Sequence, residues 1–262
     1  MTTVGLYKEI GVELTGHVAT VEIRRPPHNF FDAPLIGEIA SAFETLDANI
    51  DCRAIVLASE GKSFCAGANF GGNVTAAQPN RDASTGHLYR EAVRLFRVRK
   101  PMVAANQGPA IGGGLGLALV PDFRVTCPEA TFSANFTKLG FHPGFGLTVT
   151  LPQLIGIGAA SLMFLTSRRI KGDEAHRIGL ADVLVPQESV RRAALALAAE
   201  IATCAPLGVI ATRATLRRGL ADRVAAATEH ELSEQSRLRN TEDFREGLRA
   251  SNERRQPDFK GR

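Results

Sequence analysis

Ala110-Ile111-Gly112-Gly113-Gly114-Leu115-Gly116-Leu117-Ala118-Leu119 opens on three glycines and continues as apolar helical text. It follows the strand-like Met102 to Ala105. Such a junction gathers unblocked amide donors and the positive end of a helix dipole at one point, which favours an anion. Close helix packing also wants glycines, and the stretch alone leaves both readings open. The dinucleotide pattern GxGxxG fails, because the third residue after Gly114 is Leu117 and the third after Gly116 is Leu119.

Outward from this stretch, helix and strand alternate. Upstream, a helix over His87 to Val98 leads into Met102 to Ala105; downstream, Phe123 to Thr126 reads as the next strand. Further back, Arg53 to Ala58 is a buried strand, preceded by an amphipathic helix from Ala33 to Asn49 behind Asp32 as N-cap. Gly11 to Leu14 and His17 to Ile23 pair around a Thr15-Gly16 turn. The recurrence predicts an α/β body of stacked ββα units. Beyond Glu188 the text becomes alanine- and arginine-rich, with helices expected over 188–203, 206–220, 222–238 and 241–251. The expected division is a core over 1–190 and a helical region over 191–262.

A second small-residue stretch, Gly61-Lys62-Ser63-Phe64-Cys65-Ala66-Gly67-Ala68-Asn69, follows the Arg53 to Ala58 strand. A phosphate loop would need a glycine where Val56 stands, so nucleotide triphosphate binding is rejected. What remains is a bend at a strand end whose amides can face a ligand.

The bulk numbers set the class. With 262 residues, 44% hydrophobic and 22% charged, the chain can bury one large core without disulfides or metal. No apolar run is read as reaching the roughly 18 to 20 residues of a membrane span, and the amino terminus lacks signal-peptide character, so a cytoplasmic protein is expected. Cys52, Cys65, Cys127 and Cys204 are scattered, without metal-ligand spacing, and read as reduced thiols with no zinc site. The net charge of +4 suits a polyanionic ligand. With two Tyr and no Trp, however, base stacking is poorly supported, and no nucleic-acid partner is expected.

Taken together, several motifs resemble the crotonase, or enoyl-CoA hydratase/isomerase, superfamily. They are Arg24-Arg25-Pro26 with Asn29, the Lys62 to Asn69 stretch, Lys100-Pro101-Met102-Val103-Ala104-Ala105, the glycine-rich helix start, Asp122, Leu165-Thr166, and Ala175 with Ile178-Gly179-Leu180. They occur in family order over about residues 10 to 190, with an echo in Glu246-Gly247 and Pro257-Asp258-Phe259. The resemblance implies a crotonase-type spiral of ββα units, a carboxy-terminal helical trimerisation region, and a homotrimer or hexamer. It implies an acyl-CoA thioester as substrate, with coenzyme A as part of it and no permanently bound cofactor. Carried over by position, the oxyanion hole falls on the amides of Ala68 and Gly113. The CoA end falls along Arg24, Lys62 and Ala66, with Asn69 beside them, and the acyl pocket along Phe136 and Phe141.

The resemblance also implies a departure. Family hydratases use two glutamates, one three residues after the middle glycine and one in a later Gln-Pro-Glu stretch. Gly116 and Phe136 occupy those positions here. Ordinary hydration would therefore lack its general acid and base, each worth about 10²- to 10⁴-fold. His142 and Tyr89 are the substitutes the sequence offers, with His87, Asp82 and Asn69 behind them and His28 read as structural. Isomerase, decarboxylase or hydrolase chemistry, a hydratase with non-standard residues, and a non-catalytic acyl-CoA binder all stay open.

Overall fold

The computed structural model describes residues 2–68 and 81–262. Strands β1 (Thr2–Thr3), β2 (Ile10–Thr15) and β3 (Val18–Ile23) form an antiparallel ribbon, in which Ile10 faces Ile23 and Thr15 faces Val18. Helix α1 (Ala33–Ala48) then crosses over to β4 (Ala54–Ser59), parallel to β3 with Val18 opposite Ala54. The Asp32 carboxylate caps α1 by accepting from the Leu35 amide at 3.0 Å. The buried face of α1 repeats Leu35, Ile36, Ile39, Phe43 and Leu46 at the spacing read from sequence. Every residue of β4 is buried, as expected of a parallel strand covered on both faces.

Helix α2 (Arg81–Phe96) leads to β5 (Met102–Asn106). The short β6 (Ala110–Ile111) and α3 (Gly113–Ala118) lead to β7 (Phe123–Thr126), followed by β8 (Thr131–Ser133). After a single 3-10 turn at Thr137–Leu139 come α4 (Leu147–Thr166), β9 (Ile170–Lys171), α5 (Gly172–Arg177) and β10 (Val183–Leu184). The main sheet runs β1-β2-β3-β4-β5-β7-β10, parallel from β3 onward, beside a smaller sheet ordered β6-β8-β9. The chain closes with α6 (Val190–Thr203), α7 (Pro206–Leu216), α8 (Leu220–Leu238) and α9 (Glu242–Asn252). Each turn of the expected ββα recurrence thus adds one strand to the main sheet.

Asp122 locks the sheet to the last helices. Its carboxylate accepts from the Met102 amide at 2.8 Å and from Arg213 and Arg217 at 2.7 Å each. Burial pushes the acid up, but the two guanidiniums prevail and hold it below the ordinary carboxylate value.

The structure adds detail in three places. The carboxy-terminal helices are continuous with the core: α6 lies on β3, β4, β5 and β7 and buries Val190, Ala194 and Ala198. The helix expected over 206–220 ends at Leu216, and Gly219 at φ 70° turns the chain into α8. Helix α4, which the sequence reading left without an element, is an apolar helix of 20 residues with mean hydropathy 1.6, long enough for a membrane span. It is two helical pieces joined at Gly156, whose φ 78° and ψ 157° are not helical. One side buries Leu147, Leu151, Ala160 and Met163, while Ile157, Leu162 and Leu165 stay exposed.

Candidate active site

A cavity of about 510 Å3 opens where the chain leaves the carboxyl ends of the parallel strands β4 and β5. Its backbone wall is made by the two small-residue stretches lying side by side. The Cys65 amide donates to Pro109 O and the Ile111 amide to Cys65 O, both at 3.0 Å, and Gly112 N donates to Ser133 O at 2.8 Å. Glycine is required for this approach. A Cβ on Gly108 would lie 1.8 Å from Lys62 O, and one on Gly114 would lie 2.0 Å from Cys65 O. Gly112 takes φ 56°, which turns the chain into α3 and leaves the Gly113 amide at the first helical position.

On the other strand of this wall, Gly67 O accepts from Phe31 N at 3.0 Å. A Cβ on Gly67 would stand 3.7 Å from the Gly113 nitrogen, which places the two stretches in contact. Ala68 and Gly113 both line the cavity, and among the described residues neither amide donates to a protein acceptor. Within the glycine stretch, Gly114 serves close packing, and Gly113 presents an amide without a protein acceptor among the described residues. Asn29 braces the region, with Oδ1 accepting from Arg25 N at 3.1 Å and Nδ2 donating to Glu60 O and Ser63 O at 2.8 Å. Cys65 is fully buried in this wall, and burial pushes its thiol up to about 12, so it is no nucleophile.

The opposite wall is made of side chains. Phe31 and Phe145 meet at 5.5 Å between ring centroids, and Phe136 and Phe141 at 5.4 Å. Phe145 fills the space beside Gly116: a Cβ there would lie 2.8 Å from the Phe145 Cβ and Cδ1. Tyr89, from α2, is buried and donates its hydroxyl to Gln235 Oε1 at 3.0 Å. Burial, reinforced by Glu231, raises its pKa above the usual phenol value. Gln235, on α8, donates through Nε2 to His142 O at 2.9 Å and accepts from Arg239 at 3.3 Å. Glu231, one turn earlier, caps the start of α4 by accepting from Gly146 N at 2.8 Å and Thr148 Oγ1 at 2.6 Å. Burial raises its pKa despite these hydrogen bonds.

Of the residues singled out in the sequence, Ala66, Ala68, Tyr89, Gly113, Phe136 and Phe141 line this one cavity. Asn69 lies outside the described residues, as does the side chain of Asp82. Four do not line it: His87 is exposed on α2, 3.6 Å from Glu91, and Arg24, Lys62 and His142 also lie elsewhere. Arg24 turns to Glu22 at 3.0 Å and Lys62 is exposed elsewhere. His142 is half-buried on the far side of its loop, with Nδ1 2.8 Å from Pro143 O and its ring 5.8 Å from that of His230. The His142 carbonyl accepts from Gln235 on α8, and the imidazole lies beside His230 of the same helix.

Other residues at the cavity were missed. Arg25 lines it in place of its neighbour Arg24, paired with Glu9 at 2.8 Å and Asp32 at 3.0 Å. Asp32 is the one carboxylate among the described lining residues, and it is committed to Arg25 and the α1 cap. His28 also lines the cavity, exposed, and its carbonyl accepts from Ala66 N at 3.0 Å. Asn135, Phe145, Gln235 and Arg239 complete the side-chain wall.

The family model described as enoyl-CoA hydratase/isomerase matches residues 13–262. The chain belongs to this family. A short-chain-enoyl-CoA hydratase of Clostridium acetobutylicum is 31% identical, over 96% of this chain and 97% of its own length. An (E)-benzylidenesuccinyl-CoA hydratase of Thauera aromatica is 32% identical, over 96% and 99%. Among solved structures, an enoyl-CoA hydratase/isomerase of Pseudoalteromonas atlantica superposes with a TM-score of 0.86 at 26% identity, covering 97% of this chain and all of that one. The α/β spiral of this enoyl-CoA hydratase/isomerase family member is thus the crotonase fold.

Proposed function

We propose that this family member binds an acyl-CoA thioester with its carbonyl oxygen received by the amides of Ala68 and Gly113, and uses them to stabilise an enolate. The observation that carries this reading is the pair of free backbone donors on one cavity wall. A carbonyl oxygen that gains charge between two fixed donors in a dry site is stabilised by about 2.7 to 4 kcal/mol per donor. Ordinary water addition is disfavoured. Where related hydratases are read as carrying glutamates, this chain has Gly116, with the Phe145 ring in the adjoining space, and Phe136. An apolar wall of this kind makes an unpaired charge costly and suits chemistry whose charge develops on the carbonyl oxygen.

Tyr89 is the proton carrier in this reading. Its raised pKa makes the hydroxyl a weak acid that protonates an enolate, and makes the phenolate a strong base that is scarce at neutral pH. Isomerisation and decarboxylation of an acyl-CoA both pass through such an enolate. The exposed Ile157, Leu162 and Leu165 of α4 support the further expectation of a homo-oligomer, trimer or hexamer, that covers them.

The test is deuterium uptake at the α-carbon of a saturated acyl-CoA in heavy water. With Tyr89 as carrier, the rate climbs about tenfold per pH unit through neutrality, because the phenolate fraction does. A plateau just above pH 7 points to an imidazole instead, and no uptake by a thioester that binds contradicts the enolate reading. The hydratase names of the relatives favour a second reading, in which Tyr89, Gln235 and Asn135 hold a water. Hydration of crotonyl-CoA at the rate of a two-glutamate hydratase would decide for it.

A further inference from the structure

The acyl side of the cavity is walled by rings in two offset pairs. Phe31 and Phe145 are tilted by 51°, and Phe136 and Phe141 stand edge to face at 70°, with Phe141 set against Phe244 at 76° behind it. None of the four phenylalanines in these pairs is more than 6% exposed, so packing holds each ring in one orientation. Two glycines make room for them. A Cβ on Gly113 would meet Phe31 Cζ at 2.4 Å, and one on Gly116 would meet Phe145 at 2.8 Å. The ring edges and faces thus border the point where the free amides of Ala68 and Gly113 would hold a thioester carbonyl.

Leucine walls would bury a straight alkyl chain just as well, and would follow its bends more readily. Fixed rings add something only for a guest that is itself flat and carries a quadrupole. We propose that the acyl group of the substrate carries an aromatic ring, inserted between the Phe31–Phe145 and Phe136–Phe141 pairs, with Phe145 as the specificity-determining residue. This rests on the reading of the cavity as an acyl-CoA site. Asn135 extends it: the side chain lines the same cavity, without a hydrogen bond among the described residues, and its amide is placed for a polar substituent on the ring.

The test is calorimetric titration with phenylacetyl-CoA, cyclohexylacetyl-CoA and octanoyl-CoA, whose acyl groups have equal carbon number. Apolar area alone ranks phenylacetyl last, since it carries the fewest hydrogens and the least apolar surface. Ring recognition instead predicts that phenylacetyl-CoA binds about fivefold tighter than cyclohexylacetyl-CoA. In Phe145→Leu the ratio of those two affinities falls to about one. If that variant fails to fold, Phe136→Leu reads the other pair in the same way. Equal or tighter binding of the cyclohexyl or octanoyl thioester to the unaltered protein overturns the proposal while leaving the acyl-CoA reading intact. Failure of all three thioesters to bind a folded protein overturns the acyl-CoA reading, and this proposal with it.

Discussion

The wall formed by residues 65–68 and 110–116 presents backbone to the cavity, whereas the wall formed by residues 136–145 and α8 presents side chains. In the first, glycines bring two chain segments within 2.0 Å of where a Cβ would sit, and the groups facing the ligand are amides. In the second, rings, a phenol and an amide fill the space, each held by a partner from a different part of the chain. A backbone wall keeps its chemistry under almost any change of side chain that leaves its glycines in place. A side-chain wall changes its chemistry with single substitutions, and here it is aromatic, with the Tyr89 phenol as its titratable group. On the proposed reading, this pairing lets one fold polarise a thioester without adding water.

The largest expected effect lies on the backbone wall. Proline at Gly113 fits the first helical position and deletes the amide donor, provided Phe31→Leu relieves the contact with its ring. In the double variant α-deuterium uptake should fall about 10²- to 10³-fold relative to Phe31→Leu alone, with acyl-CoA affinity much less affected. Next comes Tyr89→Phe, which should lower uptake about 10²-fold and abolish its rise with pH. Retention of that rise would transfer the proton to another group.

A third comparison sets the walls against each other directly. A Cβ on Gly114 meets the Cys65 carbonyl at 2.0 Å, and one on Gly144 meets the Tyr89 hydroxyl at 1.9 Å. Side-chain ends can give and backbone cannot, so in urea unfolding Gly114→Ala should cost about 3 kcal/mol and Gly144→Ala about 1 kcal/mol. Equal losses would mean that both walls are equally rigid. The smallest effect is expected at His142. His142→Asn should change α-deuterium uptake by less than about threefold, because the imidazole lies outside the cavity. A loss of about a hundredfold would return it to the role of base.

The backbone wall was legible because glycine runs at strand ends and helix starts carry their physical reason locally. The same holds for the Asp32 cap and the spacing of Leu35, Ile39, Phe43 and Leu46. The side-chain wall was not legible, since its geometry depends on contacts between distant segments. Nothing near Gly116 announces that Phe145 stands beside it, and Gln235 and Arg239 sit in polar helical text that reads as an ordinary solvated face. Helix α4 escaped because it has no charged residue and carries Pro152 and Gly156, so no apolar and polar faces alternate along it. Arg24 and Arg25 differ by one position at the end of β3, and only the turn after Ile23 decides which of them reaches the cavity.

The most direct test of the central claim is the infrared stretch of a thioester carbonyl labelled with carbon-13 in bound acyl-CoA. Two amides donating to its oxygen should move the band to clearly lower frequency than in water, and the Phe31→Leu, Gly113→Pro double variant should return most of that shift. A bound thioester whose carbonyl band stays at its position in water would contradict the account.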